Sequence, residues 1–236
     1  MAHLTLDVVL LLPPLLRELA VQASDQAGES MESAFRLGHP HPAVPGAGVC
    51  EPHVSLFMLR LAEGRVGELM DEVAALATRT APVPVVGQEW RPNPYGAPEL
   101  HYRRSARWTA LQDDVVASAE PLRDGLRESD PAGARPSRVI ERLEREDPTS
   151  AQLRQLVRYG YDEIGERFRP HVTVAWPRRP APGFSGRLPE ASRWDGVLDR
   201  IAVFGMGPNG TCVRPFGDAA LTGPLSTTAN VDQALR

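Results

Sequence analysis

Apolar positions follow two periods along this chain, and the switches between them divide it into alternating strands and helices. Residues 4–12 are a run of Leu and Val that reads as a central strand, and Pro13-Pro14 then suit the first turn of a helix reaching residue 26. Residues 28–52 are a long Gly- and Pro-rich connection, with 31–37 predicted as a short helix inside it; a connection of this length suits the rim or lid of a site. Residues 53–61 read as a strand, and residues 64–80 repeat apolar side chains at helical spacing through Val66, Leu69, Met70, Val73, Leu76 and Ala77. Residues 83–90 and 99–105 are predicted as a hairpin around a turn-rich segment, followed by a helix over 106–126 in which Pro121 is a kink point. One or two helices are expected over 136–159, with Asp147 as a cap and Pro148 at a first helical position, then a strand at 168–176 and a closing hairpin of 197–206 with 211–216. Residues 1–222 are read as a single domain and 223–236 as a disordered tail.

Two of these strands open with the same words. Pro52-His53-Val54-Ser55-Leu56 and Pro170-His171-Val172-Thr173-Val174 each place a histidine and, two residues on, a hydroxyl inside an apolar run. Side chains alternate across a strand, so His53 and Ser55 share one face and Val54 and Leu56 the other, and likewise for His171 and Thr173 against Val172 and Val174. Each strand thus offers an imidazole and a hydroxyl to a cleft and anchors itself by its apolar side. In-line displacement at phosphorus needs a proton removed on one side and donated on the other, and imidazole does either near neutrality. The hydroxyls are suited to bind non-bridging phosphate oxygens. A third match, His3-Leu4-Thr5, lacks the preceding proline and stands at the frayed N-terminus, so it reads as a polar strand opening.

This pair of motifs resembles the signature of the 2H phosphoesterase superfamily, which includes 2′-5′ RNA ligase-like proteins and cyclic nucleotide phosphodiesterases. The resemblance runs over residues 3–220: an opening strand ending in proline, a strand pair and helix between the motifs, and a closing strand, glycine turn and strand. It implies an α+β, bilobal and pseudo-symmetric fold, two mainly antiparallel sheets flanked by helices with a central cleft. The motif separation, 171 − 53 = 118 residues, is lengthened by a helical insertion at 127–165. The activity implied is metal-independent cleavage of a 2′,3′-cyclic phosphate or a 2′-5′-linked nucleotide or RNA end, with His171 as general base and His53 as general acid. Ser55 and Thr173 would bind phosphate. The alternatives are a non-catalytic module binding a nucleotide or RNA end, and a metabolic enzyme acting on a non-nucleotide phosphoester.

Parity adds further candidates. Phe57 shares the face of His53 and Ser55 and is a candidate base-stacking surface, and Arg169 shares that of His171 as a phosphate contact. On the strand 99–105, His101 and Arg103 occupy one face and Tyr102 the other; Arg103 and Tyr102 are both carried forward as substrate contacts, and Trp90 and Tyr95 as further stacking surfaces.

Composition narrows the partners. The net charge of −4 argues against a chain that coats long nucleic acid, while a small anionic substrate in a local pocket stays compatible. There is no lysine, so Schiff-base chemistry and a lysine-bearing phosphate loop are excluded, and any charged phosphate clamp is arginine. Cys50 and Cys212 make neither a disulfide framework nor a zinc cluster, and His39-Pro40-His41 has no third ligand at a regular spacing, so neither metal nor cofactor is expected. The apolar run at 8–16 is too short to span a membrane and lacks a basic flank, which points to the cytoplasm.

Overall fold

The computed structural model describes residues 2–179 and 186–224. In chain order the elements are β1 (His3–Leu11), α1 (Pro14–Ser30), β2 (His53–Ala62), α2 (Val66–Arg79), β3 (Val83–Val85), β4 (Gly87–Pro92), β5 (Pro98–Tyr102), α3 (Ala106–Ala119), α4 (Pro136–Glu146), α5 (Ala151–Tyr159), β6 (His171–Thr173), β7 (Gly196–Leu198), β8 (Arg200–Met206) and β9 (Cys212–Ala220).

A four-stranded antiparallel sheet in the order β2-β1-β8-β9 forms one side of the molecule, and a three-stranded antiparallel sheet β4-β5-β6 forms the other, with a short β3-β7 pair beside them. β1 is central and covered on both faces, which is why Leu6 through Leu10 are all buried and why its apolar run is nearly continuous. Helix α1 starts with Pro13 at the N-cap and Pro14 at the first helical position, where a missing N–H costs nothing, and buries Leu16, Leu19, Ala20, Ala23 and Ala27. Helix α3 ends at Ala119, and a 3₁₀ turn carrying Pro121 follows it, as a proline without a backbone donor requires. One apolar core runs through both sheets, from Leu6 and Leu56 to Leu100, Val172 and Trp108.

Several boundaries differ from the sequence expectation. Residues 31–37 are not helical; Ser33 is instead held by its hydroxyl, which donates to the Phe35 carbonyl, and by a bridge to Pro177. Asp147 and Pro148 do not begin α5; Ser150 does, its hydroxyl accepting from the Leu153 N–H. The run 197–206 divides at Asp199, so β7 pairs with β3 while β8 joins the large sheet. The insertion 127–165 carries α4 and α5 around a small core of its own, Leu143, Leu153 and Leu156. Residues 225–236, most of the expected tail, lie outside the described residues.

Candidate functional site

The strands β2 and β6 bring both motifs to one cleft of about 630 Å³, lined by His53, Ser55, His101, His171 and Thr173 from the sheets. Phe35 and Leu37 of the long connection and Arg127, Tyr161 and Glu163 of the insertion form its walls. The insertion therefore shapes the cleft.

The two halves repeat one arrangement. The Nδ1 of His53 lies 2.7 Å from the Glu51 carbonyl, and the Nδ1 of His171 lies 2.6 Å from the Arg169 carbonyl. A carbonyl oxygen only accepts, so in each ring Nδ1 carries the hydrogen and Nε2 is the nitrogen left to exchange a proton. Each Nε2 faces a carboxylate on the neighbouring strand: Asp7 of β1 at 3.9 Å from His53, and Glu99 of β5 at 3.7 Å from His171. The same carboxylates hold the motif hydroxyls, with Ser55 Oγ donating to Asp7 Oδ2 at 2.6 Å and Thr173 Oγ1 to Glu99 Oε1 at 3.4 Å.

The environments then diverge. Burial drives the His53 pKa below its ordinary value, with the backbone bond to Glu51 only partly opposing it. Burial acts on His171 in the same sense, but Glu99, Glu163, the Arg169 carbonyl and Asp7 together outweigh it and raise the pKa. Glu99 shows the reciprocal effect: burial would raise its pKa, yet His171, His101 and Asn93, whose side-chain amide donates at 2.8 Å, bring it down. His101, register partner of His171, stacks on it with ring centroids 5.5 Å apart and sets its Nε2 3.3 Å from Glu99 Oε2. Burial pushes Asp7 up to about 7 and also raises Glu163, so both carboxyls ionise less readily than exposed ones.

The opposing positive charge comes from a residue that the sequence did not single out. Arg127 is buried, 4% exposed, with its guanidinium over the Tyr161 ring at 5.4 Å and Nη1 donating to Met58 Sδ at 3.1 Å. Its Nε has no hydrogen-bond partner, and among the described residues no carboxylate lies within ion-pairing distance of it. A buried cation so placed can pair with an anion that enters the cleft.

Four sequence candidates are elsewhere. Phe57 is fully buried and packs edge-on against Tyr161, because a bulge between Val8 and Val9 inserts Leu56 unpaired and reverses the parity of β2. Met58 takes the cleft face instead. Tyr102 points into the core against Trp108, and its buried hydroxyl has no partner; the cleft face of β5 is that of Glu99 and His101. Arg103 lies beyond the end of β5, so strand parity does not carry it to the cleft, which it does not line. Arg169 does line it, as does Tyr95, stacked on Trp176 at 5.5 Å, whereas Trp90 is tied by its indole N–H to the Pro189 carbonyl.

His3 pairs at the surface with Asp124 at 2.6 Å, away from the cleft. Of the His39-Pro40-His41 pair, His39 stands 3.7 Å from Asp25, and buried His41 accepts the Ala43 N–H at Nδ1. A different group, Asp7, His53 and Cys212, gathers three potential ligand atoms within 4.8 Å of one another. Among the described residues no helix is long and apolar enough to cross a membrane.

No family model matches the chain, and no curated protein matches it. Solved structures do. The chain is similar to TT0787 of Thermus thermophilus, at 17% identity over 93% of this chain and 98% of that one, with a TM-score of 0.54. It is similar to a structure described as a phosphoesterase, at 15% identity over 94% and 99%, TM-score 0.54. E. coli LigT complexed with 3′-AMP is similar at 13% identity over 94% and 99%, TM-score 0.52. The fold is thus the α+β arrangement of the 2H phosphoesterases.

Proposed function

We propose that this chain is a 2H-type phosphodiesterase that hydrolyses a 2′,3′-cyclic phosphate or a 2′-5′-linked nucleotide without a catalytic metal. The observation that carries the reading is the pair of imidazoles, each with Nδ1 fixed by a carbonyl and Nε2 turned to one cleft, in opposite electrostatic settings. The shared fold with a structure described as a phosphoesterase, and with LigT solved with 3′-AMP bound, supports a nucleotide phosphoester as the substrate class.

The electrostatics exchange the two roles expected from sequence. His53, with its depressed pKa, is neutral at physiological pH and takes the proton of the attacking water at Nε2. His171, whose pKa Glu99 raises, is the better proton donor of the two and delivers its Nε2 proton to the leaving ribose oxygen as the P–O bond breaks. Arg127 and Arg169 neutralise the phosphate. Ser55 and Thr173 turn their hydroxyls from Asp7 and Glu99 towards the non-bridging oxygens as the phosphate enters. Tyr95 offers a face on which a base can stack.

The test is turnover of 2′,3′-cyclic mononucleotides in excess EDTA, with the monophosphate products identified. Activity that survives the chelator supports the reading. Activity that is lost and then restored by a divalent cation, or no turnover of any cyclic or 2′-5′-linked substrate, rejects it.

A further inference from the structure

The cleft end of the large sheet carries a three-residue group whose third member, Cys212, has no part in the proposed hydrolysis. Asp7, His53 and Cys212 bring one carboxylate oxygen, one imidazole nitrogen and one thiol sulfur within 4.8 Å of one another, the only such three-residue group among the described residues. Two of the three hold an uncommitted ligand atom. Asp7 is fully buried and its Oδ1 has no hydrogen-bond partner, and Cys212 is a free, fully buried thiol.

The backbone fixes the group. The Glu51 N–H donates to the Cys212 carbonyl at 2.9 Å, closing β9 onto the residues before β2, and the Glu51 carbonyl accepts from His53 Nδ1. One residue thereby positions two of the ligands and sets the tautomer that leaves Nε2 free, the outer-sphere arrangement that metal-binding histidines use. Asp7 stands in the middle of central strand β1. A mixed S, N, O set selects a borderline cation of the zinc class over magnesium or calcium, and three protein ligands leave a fourth position open. His53 and Ser55 line the cleft, which gives the ion a way in.

We propose that Asp7, His53 and Cys212 form a binding site for a divalent cation of the zinc class, and that its occupation inhibits the chain by engaging His53 Nε2. The inhibitory half rests on the role given to His53 above; the binding half does not. On binding, the Cys212 S–H bond breaks, its proton passes to buffer, a metal–sulfur bond forms, and no oxidation state changes.

The test uses the metal-stripped chain and Co²⁺ as a spectroscopic probe, beside Zn²⁺ inhibition of cyclic-phosphate hydrolysis. One equivalent of Co²⁺ should give a near-ultraviolet sulfur-to-cobalt charge-transfer band that Cys212→Ser abolishes. That variant should hydrolyse substrate normally and need at least about 10-fold more Zn²⁺ for half-inhibition. Cys212→Ala serves if the serine variant does not fold, and Asp7→Asn should also weaken Co²⁺ binding. Absence of a thiolate band in the wild type, or equal Zn²⁺ inhibition of wild type and Cys212→Ser, would overturn the proposal. Absence of turnover would count against the hydrolase reading alone, with the cobalt spectrum still deciding the site.

Discussion

Replacing Glu99 with Gln keeps the shape of the group between His101 and His171 and removes its charge. The carboxylate lies 3.7 Å from His171 Nε2 and is mostly buried, and it is the leading reason that the His171 pKa stands above its ordinary value despite burial. Two unit charges about 4 Å apart interact by about 1 kcal/mol in water and about 4 kcal/mol at the effective dielectric of a protein site. At about 1.4 kcal/mol per pKa unit, Glu99→Gln should lower the His171 pKa by roughly 1 to 3 units, with Glu163 retaining part of the upward pull. In the proposed role of general acid His171 must be protonated, so the fall of kcat/KM on the basic side of the pH profile should move down by that amount, while the rise set by His53 stays in place. The ring Cε1–H signal of His171, followed by NMR against pH, reads the same shift directly. Stability follows with a definite sign. The pair contributes most between the ordinary values of 4.5 for Glu and 6.5 for His. Its contribution is lost as pH rises through the raised value of His171 or falls through the lowered value of Glu99. A basic limb that stays in place or moves upward in Glu99→Gln would refute this account of His171.

Other substitutions separate core from cleft. Phe57→Ala should lower stability by about 3–5 kcal/mol in urea denaturation, since the ring is fully buried, and should leave KM at a permissive temperature near that of the wild type. Arg127→Met should weaken binding of 3′-AMP by about 10- to 100-fold, the worth of a charge-assisted hydrogen bond. It should leave stability unchanged or higher, because a buried guanidinium without an ion-pair partner is removed; loss of stability with affinity intact would make Arg127 structural.

The element order and the two histidine strands were legible because they rest on local rules: period 2 against 3.6, proline at helix starts, and alternation of faces. The limits of legibility are equally physical. One unpaired residue, Leu56, reverses the parity of β2, and nothing in the sequence Val54-Ser55-Leu56-Phe57-Met58 announces it, so simple alternation puts Phe57 on the face that Met58 occupies. Alternation places Tyr102 and His101 on opposite faces of β5 but does not say which face meets the cleft, a choice made by the pairing with β6, and the expectation for Arg103 rests on a strand reaching residue 105, whereas β5 ends at Tyr102. Arg127 enters from the insertion and had no local signal. Asp7 did have one, a lone acid inside the run Leu6–Leu10 of a central strand, where burial of a charge demands a purpose. Glu99 shares the face of His101 by the same alternation that was applied to the motifs, and its role emerged only with the pairing of β5 and β6.

The central claim is that two imidazoles in one cleft divide the proton transfers of phosphodiester cleavage. The most direct measurement is kcat for a 2′,3′-cyclic mononucleotide with folded His53→Ala, His171→Ala and the double variant. Each single change should lower kcat by roughly 10²–10⁴-fold, and the double variant should lose less than the product of the two. A rate like that of the wild type in either folded single variant would contradict it.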